Sequence, residues 1–170
     1  MKNKMVIIGM PGSGKTTLGR MLGNELSIKF YDMDEYIQET TSKSILELFE
    51  NGENYFRDIE SKVCEELSKE KNILISTGGG VVKRKKNIEV LKKEALIVFL
   101  DRPIEKILED LDVSKRPLLK DGKEKIRNLY KERYEIYKES ADKIIVNDGT
   151  MIEVIERLKE AISEINLMQV

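Results

Sequence analysis

The residues whose types and spacing most directly indicate chemistry form one stretch near the N-terminus, Gly9-Met10-Pro11-Gly12-Ser13-Gly14-Lys15-Thr16-Thr17. Its glycines let the backbone bring N–H groups close to an anion, and a helix beginning at about Lys15 would point its positive end there. Lys15 can then reach the β- and γ-phosphates, and the hydroxyl of Thr16 can ligate Mg²⁺. The pattern favours a nucleoside triphosphate site over a ligand-free glycine turn. The residues expected to bind the triphosphate are Gly12, Ser13, Gly14, Lys15, Thr16 and Thr17.

Two carboxylates follow the next apolar segment, in Phe30-Tyr31-Asp32-Met33-Asp34. The alternation of a strand would place Asp32 and Asp34 on one side, facing the phosphate loop. We expect one carboxylate to hold the metal through water and the other to orient or deprotonate a hydroxyl. The alternative is that they cap a helix opening at Glu35, because aspartate is a favoured N-cap residue.

Two arginines lie in predicted helices at positions that suggest an anionic ligand. Arg57 is followed three residues later by Glu60, so the alternative is one half of a surface ion pair. Arg133 interrupts the apolar stripe of a helix predicted over about 123–141, where a guanidinium needs a partner. A substrate carboxylate or phosphate would supply that partner, and the alternative is a side chain that snorkels to solvent.

Two loops complete the candidate site. Gly78, Gly79 and Gly80 directly follow a buried strand, which favours a small ligand lying against bare backbone N–H groups over a flexible turn. The segment at about 112–122 has neither helical nor strand period, and it carries Lys115 and Arg116. Such a segment predicts a lid, in which Arg116 would close over the transferring phosphate as an arginine finger.

The elements that must position these residues alternate between strand and helix along the chain. This alternation predicts an α/β fold, a parallel sheet covered by helices on both faces, with ligands at the carboxyl ends of its strands. The predicted strands are Met5–Ile8, Lys29–Asp32, Ile73–Ile75, Leu96–Leu100 and Ile144–Val146.

Composition limits the function further. The 170 residues suit one domain, 1–170, and the net charge of -1 provides no field that would attract nucleic acid or an anionic membrane. Histidine is absent, which excludes an imidazole base or metal ligand. The single cysteine, Cys64, excludes a disulfide framework within the chain and fits a cytoplasmic setting. No apolar stretch approaches the ~20 residues of a membrane span.

Taken together, the motifs resemble the shikimate kinase family, a branch of the P-loop small-molecule and nucleoside monophosphate kinases. The resemblance spans nearly the whole chain. The similar pieces are Gly9–Thr17, Asp32-Met33-Asp34, Gly52-Glu53-Asn54-Tyr55-Phe56-Arg57 with Glu60, Thr77-Gly78-Gly79-Gly80, Arg116-Pro117-Leu118-Leu119, and Arg133-Tyr134 with Tyr137.

The resemblance implies a three-layer α/β/α P-loop kinase with strand order 2-3-1-4-5, an acceptor-binding region at about 33–61 and a lid at about 112–122. It implies ATP-dependent phosphorylation of the shikimate 3-hydroxyl, in aromatic amino acid biosynthesis. We expect a monomer.

Residue roles carry over only by that resemblance. Shikimate would lie against Gly78–Gly80, its carboxylate held by Arg57 and Arg133, while Asp34 binds its ring hydroxyls and helps to activate the attacking one. Mg²⁺ would be held by Thr16 and by water-linked Asp32, Arg116 would reach the phosphates of ATP, and the side chains expected as apolar walls are Phe49 and Phe56. One departure is Glu109-Asp110, where family members often carry an arginine that packs on adenine. The adenine contacts are therefore left unassigned.

Two other functions fit part of the pattern. Another P-loop kinase, acting on gluconate or a nucleoside monophosphate, would share the phosphate loop. A nucleotide-binding regulatory module without chemistry would share it too, although Lys15, Thr16, Asp34 and Arg116 leave no catalytic part missing.

Overall fold

A computed structural model describes residues 2–110 and 119–165 of the chain. Its centre is a five-stranded sheet in the order β2-β3-β1-β4-β5, in which every neighbouring pair is parallel. The strand order and the parallel sheet confirm the predicted fold. The strands are β1 Lys4–Ile8, β2 Lys29–Asp32, β3 Ile73–Ser76, β4 Ala95–Asp101 and β5 Lys143–Val146.

Helices connect these strands and cover the sheet. Their bounds are α1 Lys15–Leu26, α2 Met33–Thr41, α3 Ile45–Glu50, α4 Glu53–Leu67, α5 Lys85–Lys92, α6 Ile104–Asp110, α7 Leu119–Ser140 and α8 Met151–Ser163. Local sequence explains several of the ends. Ser44 and Glu47 form a reciprocal capping box at the start of α3, and Thr150 and Glu153 do the same for α8.

The buried core lies on both faces of the sheet, as the buried apolar runs of β1, β3 and β4 require. Along β1, Val6 and Ile8 pack into one cluster, whereas Met5 and Ile7 pack into the other. The first cluster includes side chains of α2, α3, α4, α5 and α7, and the second those of α1 and α8. The first cluster also includes Ile107 of α6, so more helices cover this face, among them those in the region predicted for acceptor binding.

Two details of the prediction were wrong. The strand β2 spans Lys29–Asp32 as predicted, but the alternation of a strand does not extend to Asp34: Asp32 is the N-cap of α2, so Asp34 lies in the first turn of that helix. The expected lid at 112–122 is also too long, because α7 begins at Leu119 rather than near Lys123. The remainder of that segment, with Lys115 and Arg116, lies outside the described residues.

In the described parts of the chain, none of the helices combines the length and the apolar character needed to cross a membrane.

Candidate active site

The phosphate loop joins β1 to α1 and is shaped by its glycines. Gly14, the N-cap of α1, has φ 93°, a left-handed conformation that strains any residue with a Cβ atom. The unpaired N–H groups at the start of α1 therefore open onto the loop. This is the arrangement that anion binding requires.

Lys15 is buried inside this loop. Its Nζ donates hydrogen bonds to the carbonyl oxygens of Gly9, at 2.9 Å, and Met10, at 2.7 Å. Burial lowers the pKa of Lys15 to about 8, while the carboxylates of Asp34 and Asp32 act in the opposite direction. The ammonium group is thus held at the loop by backbone oxygens, with both carboxylates nearby.

Thr16 and Asp32 form a second polar pair at the start of α1. The Thr16 hydroxyl donates to Asp32 Oδ2 at 2.5 Å. Oδ1 of the same carboxylate accepts the N–H groups of Asp34, at 3.0 Å, and Glu35, at 3.1 Å. The capping interpretation of Asp32 is therefore confirmed, and the carboxylate still faces the phosphate loop.

The same pair of side chains could bind a metal ion. Hydroxyl and carboxylate oxygens are ligands that suit Mg²⁺, which usually takes few protein ligands. Among the described residues, no group of three or more His, Cys, Asp or Glu side chains is arranged to hold a metal ion.

Asp34 faces the triple-glycine loop that follows β3. A Cβ atom on Gly78 would lie 3.1 Å from Asp34 Oδ1 and 3.2 Å from Glu60 Oε1, so both carboxylates lie close against the loop. Burial raises the pKa of Asp34, as does neighbouring Asp32, while Lys15 and Arg57 oppose the rise. A carboxyl group with a raised pKa is better suited to accept a proton than an ordinary aspartate.

Arg57 forms the ion pair with Glu60 that was considered from sequence, but the pair is buried and not at the surface: Arg57 is only 7% exposed. Its Nη1 donates to both carboxylate oxygens of Glu60, at 2.9 and 2.8 Å, and Nε reaches Glu53 at 3.4 Å. A Cβ atom on Gly80 would fall 2.1 Å from Arg57 Nη2, so the guanidinium lies directly against this glycine. Carboxylates on two sides and a glycine on a third fix the guanidinium in place.

Glu53 connects Arg57 to the far side of the glycine loop. Its Oε1 also accepts from Lys83 Nζ at 2.5 Å, and Lys83 belongs to a short 3₁₀ turn, Val81–Lys83, after the glycines. The basic run that includes Arg84 and Lys86 is likewise paired with acids of α4, Asp58 and Glu65. These ion pairs hold α4 against the loop.

Arg133 lies on α7 and is also only 7% exposed, so it does not snorkel. Its Nε has no hydrogen-bond partner among the residues that the structure describes, and the Glu132 carboxylate is 3.8 Å away. Burial of Glu60 raises the pKa of its carboxyl, and Arg57 and Arg133 both oppose that rise, which places both guanidinium groups near one carboxylate. A buried guanidinium with an unpaired N–H is a ready partner for an anionic group.

The aromatic residues expected as apolar walls lie beside Arg57. Phe49 and Phe56 are stacked, with ring centroids 4.3 Å apart. The Arg57 guanidinium carbon lies 5.1 Å from the Phe56 centroid and 5.8 Å from that of Phe49. The rings therefore line the same region as the arginine, at distances that permit cation–π attraction.

A cavity of about 250 Å³ opens on the other side of the phosphate loop, and sequence reasoning missed most of its residues. Arg102 lies there, and its Nη1 donates to the Gly12 carbonyl at 2.9 Å and pairs with Asp110 at 2.6 Å. Asn147 Nδ2 donates to the Ser13 carbonyl at 2.9 Å. The available signal was the polar turn Asn147-Asp148-Gly149 after β5, at the carboxyl end of a parallel strand. The lining residues are Gly14, Thr17, Leu18, Arg102, Lys106, Asn147, Gly149 and Met151.

The structure thus brings the predicted residues together in two groups. Lys15, Thr16 and Asp32 surround the phosphate loop, and the other group faces the triple-glycine loop. That second group consists of Asp34, Arg57, Gly78, Gly79, Gly80 and Arg133. The remaining predicted residue, Arg116, is outside the described residues.

A five-stranded parallel sheet in this order, with a glycine-rich loop leading from β1 into α1, defines a P-loop kinase fold. A family model described as shikimate kinase matches residues 11–163. The chain therefore belongs to the shikimate kinase family and is an ATP-dependent kinase.

Individual relatives agree with the family model. The shikimate kinase of Clostridium botulinum (strain Alaska E43 / Type E3) is 60% identical over 162 residues, covering 95% of this chain and 98% of that protein. A solved shikimate kinase from Acinetobacter baumannii, in complex with shikimate, matches with a TM-score of 0.86 and 34% identity, covering 99% of this chain and 97% of that one. A gluconokinase from Sinorhizobium meliloti 1021 matches with a TM-score of 0.57 and 15% identity, which shows a shared fold only.

Proposed function

We propose how this chain, a kinase that phosphorylates shikimate, divides the reaction among its residues. The donor half is the phosphate loop with Lys15, which binds the β- and γ-phosphates of ATP. The acceptor half is the triple-glycine loop with Asp34 and the two buried arginines. The observation that carries this division is the pair of buried guanidinium groups near Glu60, one on α4 and one on α7.

The acceptor half suits a small hydroxy acid. Arg57 and Arg133 together bind the carboxylate of shikimate, because a planar carboxylate satisfies guanidinium N–H groups bidentately. The ring lies against Gly78–Gly80, where the absence of side chains leaves the backbone accessible. These contacts place a ring hydroxyl at Asp34.

The chemical step is an in-line transfer of the γ-phosphoryl group to the shikimate 3-hydroxyl. The hydroxyl oxygen forms a bond to phosphorus as the bond to the β-phosphate oxygen breaks, and ADP leaves. Asp34 accepts the hydroxyl proton, which its raised pKa favours. Lys15 and, from the lid, Arg116 stabilise the charge on the transferring group.

Mg²⁺ fits the pair formed by Thr16 and Asp32, and we assign it to Thr16 directly and to Asp32 through water. The chemistry that Mg²⁺ would supply there, held by Thr16 and Asp32, is neutralisation of phosphate charge. The Thr16 hydroxyl and Asp32 Oδ2 are already within 2.5 Å of each other at the phosphate loop. The helix cap made by Oδ1 of Asp32 holds this carboxylate in place.

The cavity beside Arg102 is the proposed site for the base of ATP. It shares Gly14 and Thr17 with the phosphate loop, on the side of that loop where Asn147 and Gly149 lie. Arg102 is anchored at the Gly12 carbonyl and at Asp110, so its guanidinium plane can pack on a flat ring. In this assignment Asp110 orients the arginine instead of contacting the base.

The proposed catalytic unit is a monomer. We place the reaction in the cytoplasm, where ATP is available. Size-exclusion chromatography with light scattering tests the oligomeric state, and a mass near 19.6 kDa is expected for a monomer.

A coupled assay of ADP release tests the proposal, with ATP and Mg²⁺ offered alongside shikimate, gluconate or a nucleoside monophosphate. Of these three acceptors, we expect only shikimate to cause the release of ADP. Release with gluconate or a monophosphate, and none with shikimate, would overturn the acceptor assignment.

A further inference from the structure

One buried polar group close to the acceptor half has no role in the reaction as described. Tyr137 is 0% exposed, and its hydroxyl donates to the carbonyl oxygen of Gly79 at 2.5 Å. It lies one helical turn after Arg133 on α7, so the two side chains share a face of the helix. Its ring stacks on Phe99 of β4, with centroids 5.2 Å apart and planes at 25°. The ring is thereby fixed, and with it the position of the hydroxyl.

The Gly79 peptide that accepts this hydrogen bond lies between the two halves of the site. A Cβ atom on Gly79 would lie 2.8 Å from Cδ of Pro11, so this glycine packs directly on the phosphate loop. Its neighbour Gly80 packs on the Arg57 guanidinium. A displacement of the Gly79 peptide would therefore move the acceptor loop relative to both Pro11 and Arg57.

The Tyr137 hydroxyl is also close to both arginines. Burial raises the pKa of Tyr137 to about 12, and Arg133 and then Arg57 oppose the rise. The hydroxyl therefore stays protonated at neutral pH and remains a donor to Gly79.

We propose that Tyr137 is a positioning residue for the acceptor site: its hydroxyl holds the Gly79 peptide and Arg133 in a fixed relation to each other. It would not touch shikimate. This inference rests on the proposed function, since it concerns the site assigned there to the shikimate carboxylate and ring. The ordering of the loop and the arginine before binding reduces the cost of binding the acceptor.

The test is Tyr137→Phe, which removes one oxygen and keeps the ring in its stack. The matched control is Tyr134→Phe, on the same helix, which removes a hydroxyl that donates to Asp101 Oδ2 at 2.9 Å, away from the glycine loop. We expect Tyr137→Phe to raise the KM for shikimate about fivefold, the loss typical of one hydrogen bond. The KM for ATP should change by less than about twofold, and Tyr134→Phe should alter the shikimate KM by less than about twofold.

A second variant approaches the same peptide from the other side. Gly79→Ala pushes the peptide away from Pro11, so it should also raise the KM for shikimate more than the KM for ATP. Because Gly79 is itself assigned to the acceptor site, this variant tests the position of the Gly79 peptide and not the Tyr137 hydroxyl. If Tyr137→Phe does not fold, Phe99→Leu replaces it: loss of the stack that fixes the Tyr137 ring should also raise the KM for shikimate more than the KM for ATP, and an unchanged shikimate KM would overturn the inference.

An unchanged shikimate KM in Tyr137→Phe, or equal changes in both KM values, would overturn the inference. Shikimate turnover by the unmodified chain distinguishes failure of the Tyr137 role from failure of the proposed function. If the unmodified chain phosphorylates shikimate and the variant behaves like it, only the role of Tyr137 fails. If the unmodified chain does not phosphorylate shikimate, the proposed function fails first.

Discussion

The donor and acceptor halves of the site are built in different ways. The donor half comes from one contiguous stretch, in which Lys15 bonds to carbonyl oxygens only five and six residues away. The acceptor half gathers side chains from α2, α4 and α7 around a loop after β3. Local backbone geometry thus forms the first, whereas long-range packing forms the second. A P-loop kinase can therefore change its acceptor without changing how it binds phosphate, and this difference can be tested.

The largest expected effect belongs to the donor half. Lys15→Ala should lower kcat by about 10²–10³, because a preorganised charge at the transferring phosphate is lost. The KM for shikimate should change little, since Lys15 is assigned to ATP. Steady-state kinetics with both substrates varied provide the measurement. A large rise in the shikimate KM with kcat unchanged would contradict the separation of the halves.

In the acceptor half, Arg133→Ala should raise the KM for shikimate about 10–100-fold, as expected for the loss of charged hydrogen bonds to a carboxylate. The KM for ATP should stay within about twofold. Arg127→Ala is the matched control, because Arg127 is an exposed arginine of the same helix. Equal effects of the two substitutions would show that the charge of α7, and not the site, is responsible.

A smaller effect is expected at the proposed base cavity. Arg102→Ala should raise the KM for ATP about 3–10-fold and leave the shikimate KM unchanged, because Arg102 lies on the donor side. Arg20→Ala, which breaks an exposed ion pair with Glu35, serves as the control. A rise in the KM for shikimate, with the KM for ATP unchanged, would contradict the assignment of Arg102 to the donor half.

The pH dependence of the activity tests the role of Asp34 in the acceptor half. Burial raises the pKa of Asp34, and only the ionised carboxylate can accept the hydroxyl proton. Activity should therefore be present above that raised pKa and fall as pH decreases through it. The acid limb of kcat/KM for shikimate should lie above the range of an ordinary aspartate. Asp34→Asn should remove most of the activity, and an acid limb that persisted unchanged in the residual activity would assign it to another group.

Within the donor half, the sequence predicted the residues of the phosphate loop, since they are contiguous and each type has a local reason to be there. It predicted the acceptor residues individually, but not why Asp34 faces the loop. The strand β2 ends at Asp32 because that carboxylate caps α2, and a helical turn then carries Asp34 to the site. The prediction from strand alternation also placed Asp34 at the site, but the reason was wrong, because Asp34 lies in a helix.

The base cavity could not be predicted in the same way. Arg102 and Asn147 hold the phosphate loop through the carbonyl oxygens of Gly12 and Ser13, and a carbonyl acceptor leaves no pattern in side-chain types. The start of α7 at Leu119 was missed as well, because Gly122 lies inside the helix although glycine costs about 1 kcal/mol there. Tertiary packing determines such features.

The most direct test of the acceptor half compares shikimate with its methyl ester, which keeps the ring hydroxyls and removes the negative charge. The unmodified chain should show a kcat/KM at least about 100-fold lower for the ester, because two buried guanidinium groups lose their anionic partner. Equal kcat/KM values for acid and ester would contradict the claim that Arg57 and Arg133 select the acceptor by its carboxylate.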